Sequence, residues 1–228
     1  MTVKTPRKSV LIKQIKVLTS IESLFLSRDL KLILVAVGPT FPCDKKKGCL
    51  IQEIDYEGKV IESFGVQKKE YIAQSWVAYV DDLNNTYICN VFDNTIYAYN
   101  QKRKLFKSIK LDSPSFINLN PNIKANPKTL QEYNEKQMAL KTDIYTMILH
   151  LYVTNKFIII QHKINNDTKR VNKFKIDIFD LMGNLLYYGI ETQGEITCFT
   201  DQFYMTKNSY ENKYGLVTIT GLTLKQNI

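Results

Sequence analysis

The sequence is poor in the residues from which metal and catalytic sites are usually built. It has two histidines in 228 residues, His150 and His162, and neither stands at ligand spacing from a cysteine. Four cysteines are present, but no two of them form the Cys-x-x-Cys pair of common structural zinc sites. There is also no Gly-rich phosphate loop and no Gly-x-Ser-x-Gly elbow. We therefore expect no metal and no cofactor.

Long hydrophobic runs are also missing. The densest apolar stretch, residues 30–37, contains Lys31 and has the length of a strand rather than of a membrane span. Residues 1–16 are basic but contain no apolar core followed by a cleavage site, so as they stand they are not a signal peptide. The sequence predicts no transmembrane segment.

Basic residues, by contrast, are plentiful. Thirty-one lysines and arginines face 22 acidic residues, which gives a net charge of +9 and favours an acidic partner or an anionic ligand. Only four of the basic residues are arginine, the side chain expected for bidentate recognition of phosphates and bases. Nucleic acid is therefore disfavoured as the partner.

Short strands separated by Asn/Asp turns dominate the middle of the chain. Strands are predicted at 86–90, 95–99 and 104–111, with turns at 80–85, 92–94 and 100–103. A related strand–turn–strand unit recurs at 52–61 and 176–186, each with a glycine in the turn. A second similarity in sequence relates 7–17 to 103–111, and both look like the last strand of a repeat.

Meanders that recur about every 40 residues indicate an all-β protein built as a β-propeller of four-stranded blades. We expect a single domain with three to four visible blades, at 21–66, 71–111, 142–189 and 195–228. Strand 9–17 would belong to a closing or a preceding blade.

The best-defined repeat also carries a family resemblance. The letters YVDDLNNTYICN at 79–90, followed by NTIYAY at 94–99, resemble an NHL-type blade, although Thr95 stands where such blades usually carry arginine. The wider chain resembles the six-bladed, TolB-like propellers of Bacteroidetes envelope proteins. The resemblance implies a propeller fold and a location in the periplasm or cell envelope. Six blades need a longer chain, so it also implies a partial or shortened member.

Residues 112–141 interrupt the repeats. Pro114, Pro121 and Pro127 exclude a strand here, so we interpret the segment as an insertion. Asn126 as N-cap and Pro127 at the first helical position predict a short helix over 127–140.

The candidate chemistry is sparse. The acidic residues Asp81, Asp82, Asp93 and Asp180 stand in turn contexts, where carboxylates bond to nearby backbone, so we interpret them as turn formers rather than as catalytic or calcium-binding groups. His150 and His162 fall in apolar strands and fit core or strand-edge positions. Cys43 and Cys49 could form a disulfide across their loop in an oxidising compartment, and Cys89 fits a buried position.

The candidate binding residues are basic and lie in irregular segments. In a propeller, the loops between second and third strands emerge on the same face as the connections between blades. That face would gather Lys45, Lys46, Lys47, Lys124, Lys128, Lys163, Lys169 and Arg170.

The resulting hypothesis is a non-enzymatic binding or scaffold protein that uses this loop-decorated face. The alternative is a propeller-type, lactonase-like hydrolase whose catalytic residues lie largely in further blades. Exposed strand edges also predict self-association. The ligand itself cannot be deduced from the sequence.

Overall fold

The computed structural model describes residues 20–26, 32–37, 49–55, 59–66, 76–125, 127–165, 174–192, 194–199, 203–208 and 213–218. Strands are the main secondary structure of the described residues. They form separate antiparallel sheets, each composed of strands that follow one another in the sequence.

Four sheets are present within the described ranges. The first contains β1 (Ser20–Leu26), β2 (Leu32–Val37), β3 (Cys49–Ile54) and β4 (Val60–Val66). The second contains β5 (Trp76–Val80), β6 (Thr86–Asn90), β7 (Thr95–Tyr99) and β8 (Leu105–Lys110). The third contains β9 (Thr146–Val153), β10 (Phe157–Ile164), β11 (Phe174–Asp180) and β12 (Leu185–Thr192). The fourth contains β13 (Glu195–Phe199), β14 (Phe203–Asn208) and β15 (Lys213–Thr218).

The meander interpretation is confirmed in the second sheet, and its turn chemistry is as expected. Asp81 Oδ1 accepts hydrogen bonds from the amides of Leu83 and Asn85, both at 2.8 Å. Asp180 closes the β11–β12 turn in the same way, accepting from the amides of Met182 and Asn184. These carboxylates replace missing backbone partners in the turns, which is why the sequence locates the turns so well.

Successive sheets pack face against face. Trp76, Ala78 and Ile88 of the second sheet pack with Ile51 and Phe64 of the first. The opposite face of the second sheet packs on the third, in the largest of the apolar clusters among the described residues; its members include Cys89, Ile96, Ile109, Ile148, Leu151, Ile158 and Phe179. A smaller cluster joins Ile159, Ile176 and Ile178 of the third sheet to Ile196 of the fourth.

The predicted β-propeller is wrong. The sheets described here are not arranged as the blades of a propeller, and their face-to-face packing is that of a β-sandwich. The reason is that meander repeats and Asx turns specify strands and hairpins, whereas the arrangement of the sheets depends on contacts between distant residues. The lactonase-like alternative presupposed the propeller architecture. Strand 9–17 lies outside the described residues.

The insertion contains two helices, α1 (Pro121–Lys124) and α2 (Leu130–Thr142). The predicted helix is confirmed, but it begins later than expected. Thr129, not Asn126, is the N-cap, because its hydroxyl accepts from the Glu132 amide while the Glu132 carboxylate accepts from the Lys128 amide. Among the described residues, no helix is long and apolar enough to cross a membrane.

Candidate binding surface at the loop end

The strand order defines two ends for each sheet. The connection between the second and third strands lies at the end where the first strand begins and the fourth strand finishes. We call this end the loop end, and we call the opposite end, which carries the other two turns, the turn end. The insertion joins β8 to β9 and therefore belongs to the loop end.

Hydrogen bonds hold the loop ends of the second and third sheets together. The Ile148 amide donates to the carbonyl of Val91 in the β6–β7 turn (2.9 Å). The Asn165 amide, just after β10, donates to the Tyr145 carbonyl (2.8 Å), and its side-chain Nδ2 donates to the Leu140 carbonyl (3.0 Å). The β6–β7 turn, the insertion and the start of the β10–β11 loop therefore form one surface.

A small apolar cluster lies beneath the insertion. Leu119, Ile123, Leu140 and Tyr145 are buried against one another, and the rings of Phe92 and Tyr145 meet edge to face with centroids 5.4 Å apart. This cluster buries one side of both helices. The insertion is therefore packed onto the sheets rather than attached only by its two ends.

A buried carboxylate fastens the start of the insertion to the third sheet. Asp177 of β11 is fully buried and accepts hydrogen bonds from the Ser113 hydroxyl (2.5 Å) and the Gly189 amide (2.7 Å). His162 Nε2 lies 3.2 Å from Asp177 Oδ1, and the Phe116 ring meets the His162 ring edge to face. Burial alone would raise the pKa of Asp177, but the His162 ring, the Ser113 hydroxyl and the Gly189 amide together hold it below its ordinary value.

This buried group is a structural tie rather than a catalytic triad. The Ser113 hydroxyl bonds to the aspartate and not to the imidazole, so His162 cannot act as its general base in this arrangement. His162 and Asp177 are both 0% exposed, which leaves no access for a substrate. The expectation that His162 occupies a core position is confirmed.

The predicted basic residues divide into two groups. Lys128 is exposed just before α2, Lys163 is half-buried near the end of β10, and the backbone of Lys124 closes α1. All three therefore lie at or beside the loop end. Five other predicted residues lie outside the described residues: Lys45, Lys46, Lys47, Lys169 and Arg170.

The insertion itself carries no net charge. Residues 112–145 contain four lysines and four acidic residues, which gives a net charge of zero. In the sequence, an excess of positive charge is found at 163–172, which contain three basic residues and one acidic residue. The insertion alone therefore does not supply the positive charge that the sequence predicts for this end.

The insertion exposes large apolar side chains. Leu130 and Met138 of α2 are 62% and 60% exposed, and Ile117 and Ile144 at its borders are 41% and 56% exposed. Because both side chains are exposed, Leu130 and Met138 lie on the solvent side of α2. The sequence offers Leu130, Tyr133, Met138 and Ala139 as a partial apolar face of this helix, but Leu130 and Met138 face solvent instead.

A second group of side chains lies where the third and fourth sheets meet. His150 Nε2 of β9 is 2.7 Å from Glu195 Oε1 of β13, with the two side chains 31% and 41% exposed. The His150 ring stacks on Tyr152, whose hydroxyl donates to the Ile196 carbonyl and whose ring meets Tyr79 of β5. The sequence allowed a core or a strand-edge position for His150, but it gave no sign of its partner Glu195, which stands 45 residues away.

The cysteines offer no described disulfide. Cys49 is the first residue of β3, and its predicted partner Cys43 lies outside the described residues. Cys89 is buried as expected, and its Sγ lies 3.3 Å from the carbonyl oxygen of Asp93. Within the described part of the chain, no three His, Cys, Asp or Glu side chains come together as metal ligands would.

Comparisons with known proteins concern the fold. No protein-family model and no curated protein matches the chain. Among solved structures, the chain is similar to a candidate exported protein from Bacteroides fragilis NCTC 9343, with a TM-score of 0.51 and 13% identity over 84% of this chain and 55% of that one. The chain thus spans about half the length of that protein. The resemblance to NHL and TolB-like proteins stays a prediction.

Proposed function

We propose that the protein is a non-enzymatic binding or scaffold protein whose contact surface is the loop end of the second and third sheets. The observation that carries the proposal is the insertion, a packed and capped segment that holds Leu130 and Met138 out into solvent. Exposed large side chains on a rigid support are a common feature of protein-binding surfaces.

The proposed partner is an acidic protein or another anionic ligand. Lys128 and Lys163 lie at the same loop end as the apolar side chains, and the sequence adds Lys169 and Arg170 shortly after β10. Complementary charge would speed association and orient the partner, while the apolar side chains would supply affinity. We also propose a location in the cell envelope, which the similarity to an exported protein supports.

A pair of charge-reversed variants tests the surface. One variant changes four residues at the loop end to glutamate: Lys128, Lys163, Lys169 and Arg170. The matched variant changes four lysines at the turn end: Lys59, Lys102, Lys104 and Lys156. Both lower the net charge by eight, so they differ only in where the charge is lost.

The probe is fluorescent poly-L-glutamate at low salt, measured by anisotropy. We expect the loop-end variant to lose most of its affinity and the turn-end variant to keep most of it, because surface charges act mainly within a Debye length of about 10 Å at 0.1 M salt. Equal loss in both variants, or an unchanged affinity in the loop-end variant, would reject the loop end as the electrostatic contact site.

A further inference from the structure

The group formed by Tyr79, His150, Tyr152 and Glu195 lies apart from the loop-end contacts and has no part in the proposed partner binding. Its members come from the first strands of three successive sheets, β5, β9 and β13. First strands lie beside one another where the sheets pack, with β5 next to β9. We call these four side chains the first-strand cluster.

The cluster combines a carboxylate with aromatic rings at a partly exposed position. Glu195 uses Oε1 for its contact with His150, at 2.7 Å. Beside this pair, the Tyr152 ring stacks on His150 with centroids 6.0 Å apart and meets the Tyr79 ring at 6.1 Å. All four side chains are neither buried nor fully exposed, so a small group can reach them.

The hydrogen-bonding capacity of the pair points to a donor ligand. If the proton between His150 and Glu195 resides on Nε2, then Nδ1 of the ring and the second carboxylate oxygen are both acceptors. These two acceptors point in different directions, so a single cationic donor would bond to the carboxylate oxygen, beside the tyrosine rings, and not to both. We propose that the first-strand cluster binds a cationic amine, such as the side-chain ammonium of a lysine residue in a peptide.

The net charge of +9 does not exclude this ligand. Exposed charges farther away than about 10 Å are largely screened at 0.1 M salt, whereas the Glu195 carboxylate would contact the ammonium directly. The selectivity of the cluster therefore depends on the few side chains that form it.

The test compares two capped amino acids that differ by one side-chain ammonium group. The probe is Nα-acetyl-L-lysine amide, and the neutral control is Nα-acetyl-L-norleucine amide. Binding is followed by NMR through the ring resonances of His150, Tyr152 and Tyr79. We expect saturable shifts of these resonances with the lysine probe and none with the norleucine control.

Two variants of equal charge change locate the site. Glu195→Gln keeps the size of the side chain and its contact with His150 but removes the charge, and it should weaken binding of the lysine probe about tenfold or more. Glu135→Gln, an exposed position on α2, should leave binding unchanged. Thermal unfolding of both variants checks that they fold like the parent protein.

Three results would overturn the proposal: no saturable shift with the lysine probe, equal shifts with the norleucine control, or equal affinity of the parent protein and Glu195→Gln. None of them would bear on poly-L-glutamate binding at the loop end. The two proposals can therefore fail separately.

Discussion

The guanidinium of Arg103 pairs with the carboxylate of Glu53 across the interface between the first and second sheets, although the two residues stand 50 positions apart. Arg103 Nε donates to Glu53 Oε2 at 2.7 Å, and the two side chains are 5% and 3% exposed. The same guanidinium donates to the Asn84 carbonyl and lies over the Phe64 ring, 5.3 Å from its centroid. One side chain in the β7–β8 turn thus joins two sheets.

Removing either partner of the Arg103–Glu53 pair should lower the unfolding free energy. Glu53→Gln leaves a buried guanidinium without its counter-charge, which in comparable buried pairs costs on the order of 3–5 kcal/mol of unfolding free energy. Asp112→Asn is the matched control, since its ion pair with Lys110 is 74% and 68% exposed and should contribute less than about 1 kcal/mol. Urea unfolding measures both. Equal losses in the two variants would contradict the structural role of the Arg103–Glu53 pair.

Two glycines with left-handed backbone should differ in their tolerance of alanine. Gly183 has φ +94°, and a Cβ there would lie 2.6 Å from Ile109 Cγ2 and 2.8 Å from the Lys110 carbonyl oxygen. Gly189 has φ +68°, and its nearest neighbour would be Ser115 Oγ at 3.7 Å. Both changes strain the backbone, but only Gly183→Ala also forces the β11–β12 turn away from β8. Thermal unfolding should show the larger fall in melting temperature for Gly183→Ala. A larger fall for Gly189→Ala would contradict the close contact between the β11–β12 turn and β8.

Acid should weaken the attachment of the insertion. The pKa of Asp177 is lower in the folded protein than in the unfolded chain, so the stability it contributes is present above its unfolded value, near 3.9, and is lost as the pH falls through its folded value. Asp177→Asn should therefore be less stable at neutral pH and should lose less stability than the parent protein upon acidification. Chemical unfolding from pH 7 down to about pH 2 measures this, and parallel pH profiles would show that Asp177 does not contribute.

The outer strands should support weak self-association. β8 exposes Leu105 and Phe106, each 51%, and β12 exposes Tyr188 at 58%, while within the described sheets the outer edges of both strands pair with no further strand. Such edges can pair with a second copy. We expect light scattering to show a mass that rises with concentration, and Phe106→Lys to reduce the rise. A constant monomer mass in the parent protein would contradict this expectation.

Local features of the sequence predicted the local structure well. The turns around Asp81 and Asp180 and the helix of the insertion depend on residues a few positions apart, so they can be recognised in the sequence. The arrangement of the sheets depends on pairs such as Arg103–Glu53 and His150–Glu195, which leave no pattern in a single sequence. For this reason the repeat interpretation gave the correct strands but the wrong architecture.

The candidate sites were predictable only in part. Lys128 and Lys163 lie at the loop end as the topology of a meander requires, whichever way the sheets pack. The buried position of Asp177 could have been predicted, since this residue is charged and stands inside the mostly apolar strand FKIDIF. A carboxylate at such a position usually indicates a buried polar partner, here the hydroxyl of Ser113.

The central claim is that the loop end is a preformed surface for an acidic partner. Hydrogen exchange of the protein with and without poly-L-glutamate tests it most directly. We predict that α2 is already protected in the free protein, and that the probe adds protection at 112–145 and 163–172 but not in the turns at 81–85 and 181–184. An unprotected α2 in the free protein, or a footprint confined to the turn end, would contradict the claim.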